Sequence, residues 1–176
     1  MKKIPPELLI RMAEAVSAED RDEMAIPSYL HANPALRWMA WRRLEVVARF
    51  LDDLAGRQPL DTCVDFGCGT GVLFEELSRH AERVYGVDIV REPARILVDA
   101  WNLEKVSILS PKAAITEIAT GSVDAIVAAE VLEHIEPLDD TLRLFESLLR
   151  PTGRLLVSLP TENRLYRLGR RLAGFH

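Results

Sequence analysis

The chain has 176 residues, a length typical of a single domain that buries its own hydrophobic core. Hydrophobic residues make up 48% of the sequence and charged residues 28%, which excludes disorder as the main state. The formal net charge of −5 argues against a nucleic-acid-binding protein, because such proteins carry a basic surface. No apolar run approaches the roughly 20 residues of a membrane-spanning helix, and the prolines near the start do not fit a secretory signal. We therefore expect a cytoplasmic protein.

The two cysteines, Cys63 and Cys68, are five residues apart and have no histidine cluster near them. This spacing fits neither a zinc site nor a disulfide framework, so no bound metal is predicted. Reduced thiols, the ordinary state of cysteine in the cytoplasm, are the simplest interpretation.

Residues 1–34 are predicted to form an arm or cover that precedes the main domain, residues 35–176. Residues 7–23 contain six acidic residues and two arginines and fit either a solvated helix or a loose arm, and residues 28–34 are typical of a turn. From Leu36 onward, apolar residues recur every three to four positions. This spacing predicts a helix that ends at Gly56.

Short apolar segments then alternate with helical patterns. Strands are predicted at 62–66, 83–88, 106–109, 122–129 and 154–159, and helices at 72–79, 92–102, 138–149 and 161–172. This alternation predicts an α/β fold, a Rossmann-like doubly wound parallel sheet of order 3-2-1-4-5 with helices on both faces. In such a sheet, ligands bind at the carboxyl ends of strands one, two and four.

A glycine-rich turn follows the first predicted strand, and its glycines are Gly67, Gly69 and Gly71. A second strand ends 17 residues later in Asp88, where a carboxylate can accept both hydroxyls of a ribose. The pattern is G-x-G-x-G, whereas a dinucleotide fold requires G-x-G-x-x-G. Asp65, directly before the turn, would repel a pyrophosphate and attract an ammonium or sulfonium group. The turn therefore favours a cationic nucleoside over NAD, although Asp65 could also be a strand-end acid bonded to local backbone.

Four segments, at residues 64–71, 84–89, 122–135 and 148–157, resemble the motifs of class I S-adenosylmethionine-dependent methyltransferases. They occur in the family's order and spacing, and the resemblance covers about residues 36–160. It implies that S-adenosylmethionine (SAM) is the cofactor and S-adenosylhomocysteine (SAH) the product. Helices would cover both faces of the sheet, as the alternation of elements also predicts.

The resemblance implies a role for each matching residue. Asp65 would hold the methionine amino group, Asp88 would take the ribose hydroxyls, and Ile89 would pack on the adenine. The loop under the cofactor would comprise Phe66, Gly67, Cys68, Gly69 and Gly71. Ala129 and Glu130 would begin a segment that lines the site near the sulfonium and ends at His134. His134 is the candidate general base, and its alternative is a histidine that packs or hydrogen-bonds locally.

Two departures from the family pattern stand out. Many relatives carry Gly-Asp-Ala after strand three, where this chain has Pro111-Lys112-Ala113, and Lys112 cannot accept a hydrogen bond from the adenine amine. Ser110 or a backbone carbonyl would substitute, or cofactor affinity would be weaker. The family's strands six and seven are also missing, which predicts a carboxyl-terminal truncation. The alternatives are a homodimer that covers strand five, or a relative without those strands.

The acceptor is expected to be a small molecule, including lipid-like and quinone-like compounds. The segment from Ala129 lacks the motif of the family's nucleic-acid amine methyltransferases, so no nucleic-acid partner is predicted. The basic tail, residues 161–176, could lie on an anionic membrane surface or simply cover the sheet. The main alternative function is a methyltransferase-like module that binds the cofactor or a partner without turnover, and an NAD-dependent oxidoreductase is the second.

Overall fold

A computed structural model describes residues 1–159. The last predicted helix, residues 161–172, and the basic tail lie outside the described residues. No helix among the described residues is long and apolar enough to span a membrane.

Five parallel strands form one sheet in the order β3-β2-β1-β4-β5, which confirms the predicted fold class. The strands are β1 (Thr62–Phe66), β2 (Arg83–Val87), β3 (Val106–Leu109), β4 (Val123–Ala129) and β5 (Leu149–Ser158). The chain reverses its direction of winding between β1 and β4, so a crevice forms at the carboxyl ends of these strands.

The strand predicted at 154–159 starts earlier than expected, because β5 begins at Leu149 and includes Pro151, Thr152 and Gly153. Its pairing with β4 shifts register between Val123 and Ala125. A Cβ atom on Gly153 would lie only 2.8 Å from the Val123 carbonyl oxygen, so glycine allows this close approach. The Pro-Thr-Gly sequence therefore marks an irregularity within a strand rather than a turn before it.

Eight α-helices are present among the described residues. They are α1 (Pro6–Glu14), α2 (Ala18–Glu23), α3 (Ile26–Tyr29), α4 (Pro34–Ala55), α5 (Phe74–His80), α6 (Glu92–Trp101), α7 (Pro111–Glu117) and α8 (Leu138–Leu148). A 3-10 turn spans Leu132–His134. The alternation of side chains along the strands buries two hydrophobic clusters, one including Cys63 and Val127 and the other including Val64 and Ile126.

The helices before α4 pack on the main domain. Leu9 and Met12 of α1 and Tyr29 of α3 are buried in the same cluster as Leu44 and Leu51 of α4. Most acidic side chains of this segment are exposed, whereas Leu9, Met12 and Tyr29 pack in the core. The many acidic residues of this segment therefore gave no indication that α1 and α3 pack against the core.

The large apolar side chains of α8 and α4 divide between the core and the surface. On α8, Phe145 and Leu148 are buried, whereas Leu138 and Leu142 are about 40% exposed (39% and 40%). Phe145 therefore packs in the core together with Leu148 and not with Leu138 and Leu142. On α4, Trp41 is buried and Trp38 is exposed, so only Trp41 anchors the helix in the core.

Candidate active site

A cavity of about 510 Å³ lies at the carboxyl ends of β1, β2 and β4, within the usual size range of small-molecule sites. It brings together nearly all the residues that the sequence singled out. Those lining it are Asp65, Phe66, Gly67, Cys68, Gly69, Asp88, Ile89, Ala129, Glu130 and His134. Gly71 is not among the lining residues.

The glycine loop adopts a backbone that other residues rarely reach. Gly67, Gly69 and Gly71 have φ values of 73°, 51° and 76°. A Cβ atom on Gly67 would overlap the side chain of Val131, which follows β4. A Cβ atom on Gly71 would instead overlap the ring of Phe74 at the start of α5. Gly67 and Gly69 therefore shape the cavity, while Gly71 allows the loop to pack on α5.

Asp65, the next-to-last residue of β1, is only 3% exposed. Within the described part of the chain, no group donates a hydrogen bond to its carboxylate, so the alternative of a strand-end acid satisfied by nearby backbone is not observed. Burial, and secondarily the negative charge of Asp88, raises the pKa of Asp65 to about 7. A buried acid without a partner in the wall of a cavity is suited to a cationic ligand.

Asp88 joins the end of β2 to the glycine loop. Its Oδ2 accepts a hydrogen bond from the Gly69 amide at 2.8 Å, and its Oδ1 accepts one from the Val90 amide at 3.0 Å. Burial raises the pKa of Asp88, and the backbone hydrogen bonds partly oppose this rise. Next to it, Ile89 is 76% exposed and offers an apolar surface to the cavity.

Glu130 stands directly after β4 in a left-handed conformation, with a φ of 54° that is uncommon outside glycine. Its amide donates to the Ser158 carbonyl, and its carboxylate pairs with Arg43 of α4 at 2.7 Å. Burial raises the pKa of Glu130, and Arg43 opposes this rise. The sequence did not point to Arg43. The apolar periodicity of α4 indicates which of its residues are buried, but not which residue of another element lies next to a polar side chain.

His134 closes the 3-10 turn after β4. Its amide donates to the Val131 carbonyl at 3.0 Å, and its exposed side chain lines the cavity. The local hydrogen bond belongs to the backbone, so the imidazole ring is available to a ligand in the cavity.

The stretch after β3 forms the start of α7, which the sequence prediction did not include. The Ser110 hydroxyl accepts a hydrogen bond from the Ala113 amide at 3.1 Å and caps this helix. Pro111 lines the cavity, but Lys112 does not. A serine followed by proline is a signal for a helix start, and it could have located α7.

The amino-terminal segment also contributes to the cavity. Asp20 and Glu23 of α2, the following Met24 and Ala25, and Tyr29 of α3 all line it. Tyr29 is buried, and this burial raises the pKa of its hydroxyl. Sequence reasoning placed a cover here without naming its lining residues.

Comparisons with known proteins agree with this geometry. The sequence model of a family described as methyltransferase domain matches residues 38–175. The ubiquinone biosynthesis O-methyltransferase of Cupriavidus pinatubonensis is 32% identical over 114 residues, which cover 62% of this chain and 44% of that protein. The Methylobacterium protein of the same name is 32% identical over 160 residues, covering 88% of this chain and 62% of that one.

A solved structure, a SAM-dependent methyltransferase from Aquifex aeolicus, is 18% identical with a TM-score of 0.55 and covers 88% of this chain and 72% of that one. This likeness concerns the fold. The chain spans about half the length of the curated relatives it matches. Since the family match extends over most of the sequence, the chain belongs to the methyltransferase domain family, as a class I fold whose cofactor is SAM.

Proposed function

We propose that this protein binds SAM in the cavity at the ends of β1, β2 and β4 and directs its methyl group to a small-molecule acceptor. One observation carries the proposal. Asp65 is buried in the wall of the cavity, and no described residue forms a hydrogen bond or an ion pair with its carboxylate. SAM carries an ammonium and a sulfonium, so both of its positive charges would be favourable near this acid.

The other residues of the cavity fit the same cofactor. Gly67 and Gly69 present main chain without side chains to the cavity, and the segment after β4 packs closely against Gly67, because a Cβ atom there would overlap Val131. Asp88 can accept hydrogen bonds from ribose hydroxyls with the lone pairs that its two backbone contacts leave free. Ile89 would pack against the adenine, and Ala129 and Glu130 would lie near the methyl group.

When bound, SAM supplies a methyl group that the positive sulfur already activates. The chain's own residues have three tasks, which are to orient the acceptor, to exclude water and to remove a proton from a hydroxyl acceptor. We assign the proton removal to His134, whose ring faces the cavity. The helices of residues 1–34 would cover the site, since α2 and α3 contribute to its wall.

The acceptor is proposed to be a hydroxylated, quinone-like small molecule. This step rests on the relatives named ubiquinone biosynthesis O-methyltransferases, which match only part of their own length. The cytoplasmic location, the homodimer and the membrane contact of the basic tail stay predictions from the sequence.

Methyl transfer can be tested with SAM labelled in the methyl group and a panel of catechols and hydroxyquinones. We expect at least one catechol to give a labelled methylated product that is extracted into the organic phase. The same compound methylated at both hydroxyls should give no labelled product. Tight SAM binding with no transfer to any acceptor would favour the alternative of a non-catalytic cofactor-binding module.

Asp88→Ala is expected to weaken SAM binding about 10- to 150-fold, because hydrogen bonds to a charged group contribute about 1.5–3 kcal/mol. The change also removes the carboxylate that holds Gly69 and Val90. Calorimetric titration measures the effect. Asp99→Ala is the matched control, since Asp99 is exposed on α6 and lies outside the cavity. Unchanged affinity in Asp88→Ala would contradict the assignment of the ribose to this residue.

SAM affinity is expected to fall as the pH is lowered through about 7. Asp65 binds a cation only when ionised, and burial raises its pKa to about 7, so protonation below this pH competes with the ligand. The loss approaches about tenfold per pH unit well below the pKa. Dissociation constants between pH 5.5 and 7.5 measure it. Asp65→Asn should bind weakly, with a shallower pH profile, whereas identical profiles in both proteins would contradict the role of Asp65.

A further inference from the structure

The cavity is lined by carboxylates and, among the described residues, by no lysine or arginine. Its acids are Asp20, Glu23, Asp65, Asp88, Glu130 and Glu136. Glu130 is paired with Arg43, which stands behind it on α4. Such a concentration of one charge sign in a concave site produces a strong local potential that favours cations.

Two of these acids, Asp20 and Glu23, come from the amino-terminal segment rather than from the sheet. Ser17 fixes the start of α2, because its hydroxyl accepts a hydrogen bond from the Asp20 amide at 3.1 Å and donates one to Asp20 Oδ2 at 2.6 Å. After α2, Met24 lies over the glycine loop, where a Cβ atom on Gly69 would be 3.6 Å from Met24 Cγ. The segment therefore places both acidic residues among those that line the cavity.

An acidic residue on the sheet side of the cavity independently favours a positively charged ligand. Asp65 is 3% exposed, lines the cavity and receives no hydrogen bond from any described residue. Asp20 also affects Asp88 on the sheet side of the cavity. Burial is the main cause of the raised pKa of Asp88, and the negative charge of Asp20 contributes to it. The two walls thus share one electrostatic field, and a positive ligand would be attracted by both.

We infer that Asp20 and Glu23 are specificity-determining residues that recognise the positive sulfonium of the methyl donor and so favour SAM over its product SAH, in which the sulfur is neutral. The inference rests on the proposed function. In methyl transfer to a hydroxyl, the sulfur–carbon bond breaks and its electron pair stays on sulfur. The new carbon–oxygen bond forms, and the acceptor proton goes to a base. The sulfur is then neutral, so the attraction to α2 is lost when the reaction is complete.

The test compares neutral variants of nearly the same shape. In the double variant Asp20→Asn with Glu23→Gln, we expect calorimetric dissociation constants to rise about three- to tenfold for SAM and less than about twofold for SAH. Sinefungin, in which a protonated amine replaces the sulfonium, should follow SAM. The difference between SAM and SAH should shrink at 0.5 M salt, because salt screens partly exposed charges. Asn at position 20 can still accept the Ser17 hydrogen bond, and thermal melting verifies the fold.

The matched control is Glu19→Gln with Asp22→Asn. These exposed acids lie on the same helix but outside the cavity, and their replacement changes the net charge equally. The control should leave the SAM-to-SAH preference unchanged. Equal effects on SAM and SAH in the first variant, no effect on either, or an equal change of preference in the control would each overturn the inference. If the unaltered protein bound none of the three ligands, the proposed function itself would fail.

Discussion

Replacing Gly67 by alanine is expected to weaken SAM binding about 100-fold or more. Gly67 has a φ of 73°, and a left-handed conformation costs a residue with a side chain about 1–2 kcal/mol. The added methyl group would also overlap Val131, so either the glycine loop or the segment after β4 must move. Both segments border the cavity, and a displacement of about 1 Å within a site can lower its function by about 100-fold. Calorimetric titration with SAM measures the loss.

Gly121 offers a matched control for this substitution. Its φ of 67° is nearly the same, but no atom lies within 4 Å of the position that a Cβ atom would take. Gly121→Ala should therefore lose only about 1–2 kcal/mol of stability and keep its SAM affinity. If Gly67→Ala bound SAM as tightly as Gly121→Ala, the glycine loop would not form the cofactor site.

Replacing His134 by alanine is expected to lower turnover about 10²- to 10⁴-fold, the usual contribution of a general base. His134 is the one histidine among the described residues that line the cavity. Its backbone amide, and not its ring, makes the hydrogen bond to Val131. The SAM dissociation constant should change less than about twofold, because the role proposed for the ring concerns the acceptor rather than the cofactor. Initial rates with saturating catechol and labelled SAM measure this separation.

His80→Ala is the control for loss of a histidine. His80 lies outside the cavity, where its Nε2 contacts Asp52 Oδ1 at 2.8 Å. Its replacement should leave the turnover within about twofold of the unaltered protein. Equal turnover in His134→Ala and the unaltered protein would show that His134 has only a local structural role.

The sheet and the glycine loop could be predicted because their signals are local. Each parallel strand is a short apolar run, and Gly67, Gly69 and Gly71 stand between a strand and a helix. The strand order then follows from the alternation of elements and the handedness of their connections, which brings Asp65 and Asp88 to one edge.

The features that the sequence did not predict depend on contacts between distant parts of the chain. Arg43 pairs with the cavity residue Glu130 only because the fold brings α4 next to the residue that follows β4. Gly71 follows the pattern of the loop, but the ring of Phe74 occupies the space beside it. The acids of α2 look like an ordinary solvated surface until Met24 places that helix over Gly69. The hydrophobic periodicity of a sequence indicates the buried face of one helix or strand at a time. It does not indicate which distant residues come into contact.

The central claim is that the cavity at the ends of β1, β2 and β4 binds SAM. Parallel calorimetric titrations of the unaltered protein with SAM, SAH and NAD test it most directly. We expect both SAM and SAH to bind at one site per chain, and NAD not to bind, because Asp65 opposes a pyrophosphate near the glycine loop. Binding of NAD, or of none of the three, would contradict the claim.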